Sequence, residues 1–366
     1  MNRAMSLGPA GRLVRSVILF ATSGTLFASA APAQPSWRTL DDFLTRGVRL
    51  SASETAALGR GETIARKLPT GDDRDVAVFG AVQIDVPRAF LVERQRDFAR
   101  SLRTPTRTQV QLFSDPAVEK DLQGLDVTAD DLKELRSCRP NDCNFKLPAT
   151  DMERLRTTID WSAPDARSRV TAYAARRMIE YVTDYRRRGN AAMLVFDDRG
   201  TVHSSDAFAA MLRDSSYVFS AVPSLGRHLM AYPQDTLAGG VEAMFWSQDE
   251  MPHLRRVLRI THATVYSPPE LPQMTLVAAK QIYANHYFEA GLEVLAAIDR
   301  AVAGAPSDNK AITVVSVRRY RFDHLPSGGL LNIRGRVTNG LRENALADLT
   351  RLKRESESAW ASTHSR

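Results

Sequence analysis

The amino-acid sequence predicts an α+β fold: a curved antiparallel sheet covered by a long C-terminal helix, with a large, mainly helical insertion. Three patterns predict it. Val76, Val78, Gly80, Val82, Ile84 and Val86 share one parity, the period of a strand with one buried face. Alternating, β-rich segments recur from Val241 to Phe322. Val337, Leu341, Ala345, Leu349 and Leu352 then recur at three and four, the stripe of an amphipathic helix. An antiparallel sheet with one polar face must cover the other, and the last helix is the natural cover.

Residues 1–33 read as a secretory signal peptide. Arg3, Arg12 and Arg15 stand without an acid before an apolar run, Val17 to Ala30. That run is shorter than the ~20 residues that span a bilayer. Small residues follow, and Ala31-Pro32-Ala33 places the cleavage after Ala33. A retained N-terminal anchor is the alternative. No Cys follows the run, so a lipid-anchored maturation is not indicated. The mature chain is expected in the periplasm or outside the cell, without stable membrane insertion.

Residues 34–61 form a polar leading segment with one amphipathic piece, Leu40 to Arg49. One α+β unit is expected over 62–355, interrupted at about 105–240, with 356–366 as a disordered tail. Glu62 to Leu68 is a first strand, closed by the turn cluster Pro69-Thr70-Gly71-Asp72-Asp73. Pro87 stops the next strand and opens a helix over Arg88 to Leu102, where the missing N–H costs nothing.

Thr128 is a good N-cap for a helix that begins with Asp130 and Asp131. Residues 151–160 suggest another short helix. Asp165 to Arg188 is the clearest helix, with Val170, Tyr173, Ala174, Met178, Tyr181, Val182 and Tyr185 in one stripe. It ends in three arginines and Gly189: cations at the negative end of the dipole, then a stop. Ala191 to Phe196 reads as a short strand and Ser205 to Leu212 as a helix.

The later strands are Val241 to Trp246, Arg256 to Tyr266, Leu276 to Phe288, Leu292 to Ile298 and Ala311 to Phe322. A turn at Gly304 to Asn309 joins the last two as a hairpin.

The formal net charge is +7. The three arginines of residues 1–33 leave with the signal peptide, so +7 minus 3 gives +4. The densest remaining cluster, Arg186 to Arg188, caps a helix, so no nucleic-acid partner is expected. Cys138 and Cys143 are the only two cysteines and flank Arg139-Pro140-Asn141-Asp142, which carries turn chemistry. In an oxidising compartment this reads as a short-loop disulfide. Two cysteines are only half a zinc site, and no His lies near them in sequence.

The familiar catalytic signatures are missing: no G-x-S-x-G, no H-E-x-x-H, no Walker loop, no G-x-G-x-x-G. His262 shares a strand face with Leu258, Ile260 and Tyr266, and His286 lies among Tyr283, Asn285 and Tyr287. Each is either an ordinary sheet histidine or a polar anchor in an apolar cavity. Neither has an acidic or third His partner at close spacing, so no metal or cofactor is expected.

Three segments together resemble the START-like, helix-grip superfamily of lipid-binding proteins. They are Ala77 to Asp85 with Val86-Pro87 leading into a helix, the antiparallel run from Leu258 to Phe322, and the closing helix Arg336 to Arg351. The resemblance is architectural and covers about half of the mature chain. It looks like a secreted bacterial member, of the polyketide cyclase and lipid-transfer type. Residues 105–240, with their Cys loop, depart from the pattern. In that superfamily a lipid, sterol or other apolar molecule lies between sheet and C-terminal helix. The resemblance therefore implies a carrier of an apolar small molecule.

Residues with polar tips among apolar strand positions would line the site: His262, Tyr266, Tyr283, His286 and Tyr287. Strand parity sets Tyr283 and Tyr287 opposite His286 unless a bulge intervenes. The alternatives are a hydrolase or cyclase-type enzyme with His262 or His286 as general base, and an envelope interaction module without a ligand. The enzyme reading requires a carboxylate or hydroxyl within hydrogen-bond reach of the His.

Overall fold

The structure is a computed structural model and describes residues 39–98, 103–250, 254–300, 311–324 and 332–364. The expected signal peptide, 1–33, and the expected turn at Gly304 to Asn309 lie outside the described residues.

The leading segment is a working part of the core. A helical turn, Leu40–Asp42, runs into a π-helical turn, Phe43–Gly47, and buries Phe43 and Leu44. Helix α1, Ala52–Gly59, starts in a full capping box between Ser51 and Glu54. Strands β1 (Ile64–Leu68) and β2 (Asp75–Ile84) form as expected and pair antiparallel. Helix α2, Arg88–Arg96, follows Pro87 and ends at Asp97; residues 99–102 of the expected helix lie outside the described residues.

Strand β3, Arg107–Leu112, was not anticipated. It pairs with β6 at the sheet edge, so the insertion starts after residue 112 rather than at about 105. Its sequence, Arg-Thr-Gln-Val-Gln-Leu, carries little apolar signal because an edge strand needs few buried side chains.

The insertion then contributes α3 (Ala129–Ser137), α4 (Ala149–Thr158) and α5 (Ala166–Arg188). Thr128 does cap α3, accepting from the Asp131 N–H. Gly189 ends α5 at φ 56°, and a Cβ there would lie 1.6 Å from the Tyr232 carbonyl oxygen, so only glycine fits. The strand expected over Ala191 to Phe196 is mostly not formed: Ala191 and Ala192 belong to a 3-10 turn, Gly189–Ala192. Only β4 (Val195–Phe196) is extended, paired with β5 (Val202–His203). Helices α6 (Ser204–Asp214), α7 (Ser216–Phe219) and α8 (Pro223–Ala231) complete it.

Four long strands follow: β6 (Val241–Asp249), β7 (Val257–Tyr266), β8 (Met274–Ala284) and β9 (Phe288–Asp299). The last is β10 (Ile312–Phe322). The sheet has eight antiparallel strands in the order β1-β2-β10-β9-β8-β7-β6-β3. The stretch Leu276 to Phe288 is therefore not one strand. Asn285, His286 and Tyr287 turn the chain from β8 into β9, with Tyr287 at φ 62°. No Gly or Pro marks that turn, which hides it in the sequence.

Helix α9, Ile333–His364, packs on β1 and β2. Its Leu341, Ala345 and Leu349 meet Val76, Val78, Val82 and Ile84. Gly80 lets it approach: a Cβ there would lie 2.6 Å from Leu349 Cδ1. The helix runs past 355 to His364, so 356–364 is not a disordered tail. Trp360 holds that end against Phe90 of α2, with ring centroids 5.0 Å apart.

The second sheet face is not polar. Ala77, Phe79 and Ala81 of β2 face a large core built with Phe43, Leu58, Tyr181 and Phe208. Both sheet faces are buried: α2 and α9 cover one, the insertion and leading helices the other. This is why the long strands are buried along almost their whole length. Among the described residues, no helix is long and apolar enough to cross a membrane.

Candidate functional site

The space between α9 and the sheet is charged. A cavity of about 140 Å³ there is lined by Arg107, Arg259, Glu293, Arg318, Tyr320 and Asp348, among others. Arg107 lies 3.2 Å from both Asp249 and Glu293, Arg259 lies 3.1 Å from Asp249, and Arg318 lies 2.9 Å from Asp348. Burial opposes charge on Glu293, but Arg107 and Arg318 outweigh it and hold its carboxyl down to about 2. None of the five residues expected to line a site under the C-terminal helix lines this cavity.

The apolar cavity lies on the opposite face, between the sheet and α3, α4 and α5. It measures about 120 Å³. Leu135, Leu155, Val170, Met178 and Ile260 are among its walls, with Asp131, Asp151, Tyr173, Arg177 and Asn285 as polar groups. Tyr173 donates to Asp151 at 2.9 Å, and Arg177 lies 2.9 Å from the same carboxylate. Tyr283 is the one sequence-predicted residue among the lining groups. Burial pushes its hydroxyl pKa up, with Asp151, Asp198 and Asp131 adding to the effect.

A bulge decides where Tyr283 points. Ile260 pairs with Tyr283 but Thr261 pairs with Gln281, which leaves Ile282 as the extra residue. Ile282 and Tyr283 both enter the core on the insertion side. The Tyr181 hydroxyl donates to the Ile282 carbonyl at 2.7 Å and satisfies the bulge.

The other candidates are dispersed. Tyr266 is buried in the same core near α8, with its hydroxyl 3.5 Å from Ser224 Oγ. His286 lies in the β8–β9 turn, with Nδ1 2.8 Å from the Asn144 carbonyl and Nε2 3.4 Å from Asp131 Oδ1. Burial opposes charge on Asp131, but His286 and the Thr128 hydrogen bonds together outweigh it and lower the carboxyl pKa. Tyr287 packs toward the α9 face, and its hydroxyl accepts from the Arg255 N–H at 3.1 Å. The five side chains do not form one site.

Tertiary structure also assembles a centre around His262 that sequence proximity does not reveal. His228 from α8, Glu242 from β6 and His262 from β7 bring one ligand atom each within 4.8 Å of one another. Glu242 and His262 share a sheet face because His262 pairs with Met244, two residues along β6. Glu242 Oε1 lies 2.8 Å from His228 Nε2, and Oε2 lies 3.6 Å from His262 Nε2. Both rings are fully buried, while Glu242 reaches solvent.

Burial opposes charge on all three. It lowers the His262 pKa. At His228 the Glu242 carboxylate and the Asp235 carbonyl outweigh it and raise the pKa. The two histidines hold Glu242 down to about 2. Lys280 pairs with His262 across β7 and β8, and burial lowers its pKa to about 7. Its ammonium has acceptors in Asn190 and in the Leu229 carbonyl. His228 was missed because it sits in the Pro- and Gly-punctuated stretch where no helix was expected; the Pro at N1 was the available signal.

The cysteine pair is bonded: Cys138 and Cys143 form a disulfide with Cα atoms 4.6 Å apart. It packs with Leu135, Phe145 and Leu155, which also line the apolar cavity. Arg187 and Arg188 pair with Asp184, and Arg186 donates to the Ser114 carbonyl, so the basic run is engaged within the fold.

Compared with known proteins, the chain matches no family model, no curated protein and no solved structure.

Proposed function

We propose that this is an exported carrier of an apolar small molecule, held between the sheet and the insertion helices rather than beneath α9. The observation that carries the reading is the apolar cavity with its few convergent polar groups. Its volume of about 120 Å³ suits a single ring or a short acyl chain. An apolar cavity of about 150 Å³ stays dry and takes up benzene-sized guests. Asn285, Arg177 and the Tyr283 hydroxyl are the groups that would orient the guest. The charged cavity under α9 argues against an apolar guest there, because desolvating its ion pairs without replacing their partners is costly.

The general-base reading is supported to the extent that His286 and His262 each have a carboxylate nearby. Neither histidine lines the apolar cavity, so binding stands first. An interaction module without a ligand would need no such cavity.

The test is native mass spectrometry of the protein purified from its own envelope, followed by titration with fatty acids, sterols and aromatic compounds. A bound mass released under denaturing conditions is expected. A chain that carries no added mass and binds no member of the panel overturns the reading.

A further inference from the structure

We infer that His228, Glu242 and His262 form a zinc-type divalent metal site. Two buried imidazoles and one carboxylate converge from three elements, with their ligand atoms within 4.8 Å of one another. Tetrahedral ligands at the ordinary zinc distances of ~2.0–2.1 Å stand about 3.3 Å apart. His228 Nε2 lies 2.8 Å from one Glu242 carboxylate oxygen and His262 Nε2 lies 3.6 Å from the other, so a small shift of the three side chains reaches that spacing.

The rings are set for ligation. Each Nε2 is buried and makes no hydrogen bond of acceptable geometry, despite the nearby carboxylate. Each Nδ1 is engaged on the far side of its ring. His228 Nδ1 lies 2.6 Å from the Asp235 carbonyl oxygen, and His262 Nδ1 lies 3.3 Å from the Tyr185 hydroxyl. The carbonyl on His228 Nδ1 selects the tautomer that frees Nε2 as a lone pair, the outer-shell arrangement of metal-binding histidines, and the Tyr185 hydroxyl is able to accept from His262 Nδ1 in the same way. A buried polar atom left unsatisfied is costly, and a metal ion would satisfy both Nε2 atoms at once.

Three protein ligands of mixed nitrogen and oxygen are the count of an open zinc site, which keeps one position for an exchangeable group. Glu242 is the solvent-reaching member, so that position opens outward at the start of β6. Tyr232 and Tyr185 wall the other side, with ring centroids 4.4 and 5.7 Å from that of His262. The site is separate from the apolar cavity and does not depend on the carrier reading.

The test uses the full chain, stripped with chelator, dialysed against Zn²⁺ alone and measured by elemental mass spectrometry. One zinc per chain is expected, with a rise in melting temperature on zinc addition. Affinity should fall by about 100-fold or more in His228→Ala and His262→Ala, and at least tenfold in Glu242→Gln. His286→Ala should bind as the parent does. Circular dichroism reports whether each variant is folded, and Glu242→Gln alters a solvent-reaching residue where folding is least at risk. The inference is overturned by a folded parent chain without stoichiometric zinc, or by zinc binding that folded Glu242→Gln leaves unchanged.

Discussion

Lys146 Nζ lies 2.7 Å from Asp198 Oδ2, and both side chains are almost completely buried. Asp323, just past β10, completes the cluster at 3.0 Å. The Lys146 N–H also donates to the Asn285 carbonyl at the β8–β9 turn. One residue thus joins the Cys loop, the β4–β5 hairpin and the sheet, beside the apolar cavity.

Removing that ammonium strands Asp198 in a dry environment. Lys146→Met should lower stability by about 3–5 kcal/mol. Adding Asp198→Asn should restore part of the loss, because the stranded charge is then gone. Urea unfolding of the single and double variants measures both. A single-variant loss under about 1 kcal/mol would contradict the role given to this pair.

The ion network under α9 predicts an acid response. Glu293 is held at about 2 in the fold against an ordinary 4.5. A depressed carboxyl contributes fully above pH 4.5, and its contribution is lost as pH falls from 4.5 toward 2. Glu293→Gln should be the less stable protein at pH 7, by up to about 3 kcal/mol. The gap should nearly close by about pH 2, where about half of the parent carboxyls are protonated, and vanish below it. A gap that stays constant with pH would show that Glu293 is not held ionised by Arg107 and Arg318.

The disulfide closes a small ring, with a sequence separation of 5. Chain-entropy reasoning gives about 2 kcal/mol for so short a loop. The double variant Cys138→Ser and Cys143→Ser should lose about that much in denaturant unfolding. Reductant should destabilise the parent but not the variant. Equal midpoints for the parent with and without reductant would remove the disulfide from the stability of the insertion.

Filling the apolar cavity should weaken binding without unfolding the chain. Ala174 lines it from α5, and Ala174→Leu places three more carbon atoms in the space. Affinity for a ligand found by the lipid panel should drop at least tenfold, with a stability change of about 1–3 kcal/mol or less. Unchanged affinity in a folded variant would place the ligand elsewhere.

Most of the sheet was legible because its strands announce themselves by parity. Leu258, Ile260 and Tyr266 do share the face that alternation assigns them, with His262 beside Tyr185 of the same core, and Cys138 does bond Cys143. The Asn285-His286-Tyr287 turn was not legible, because aromatic and polar strand formers make it without Gly or Pro. Strand β3 was hidden by the polarity of an edge, and α8 by its flanking Pro and Gly.

The sequence by itself determined the α+β class, the long closing helix, the helical insertion and the disulfide. Each depends on local periodicity, on capping or on two cysteines a short turn apart. Only the tertiary structure decided that both sheet faces are covered, that the cavity under α9 is charged and that the apolar one lies opposite. Only it brought His228 and Glu242 to His262. Those outcomes depend on strand register, on one bulge and on which face each helix covers. They are set by packing between residues far apart in the chain, where no local pattern reaches.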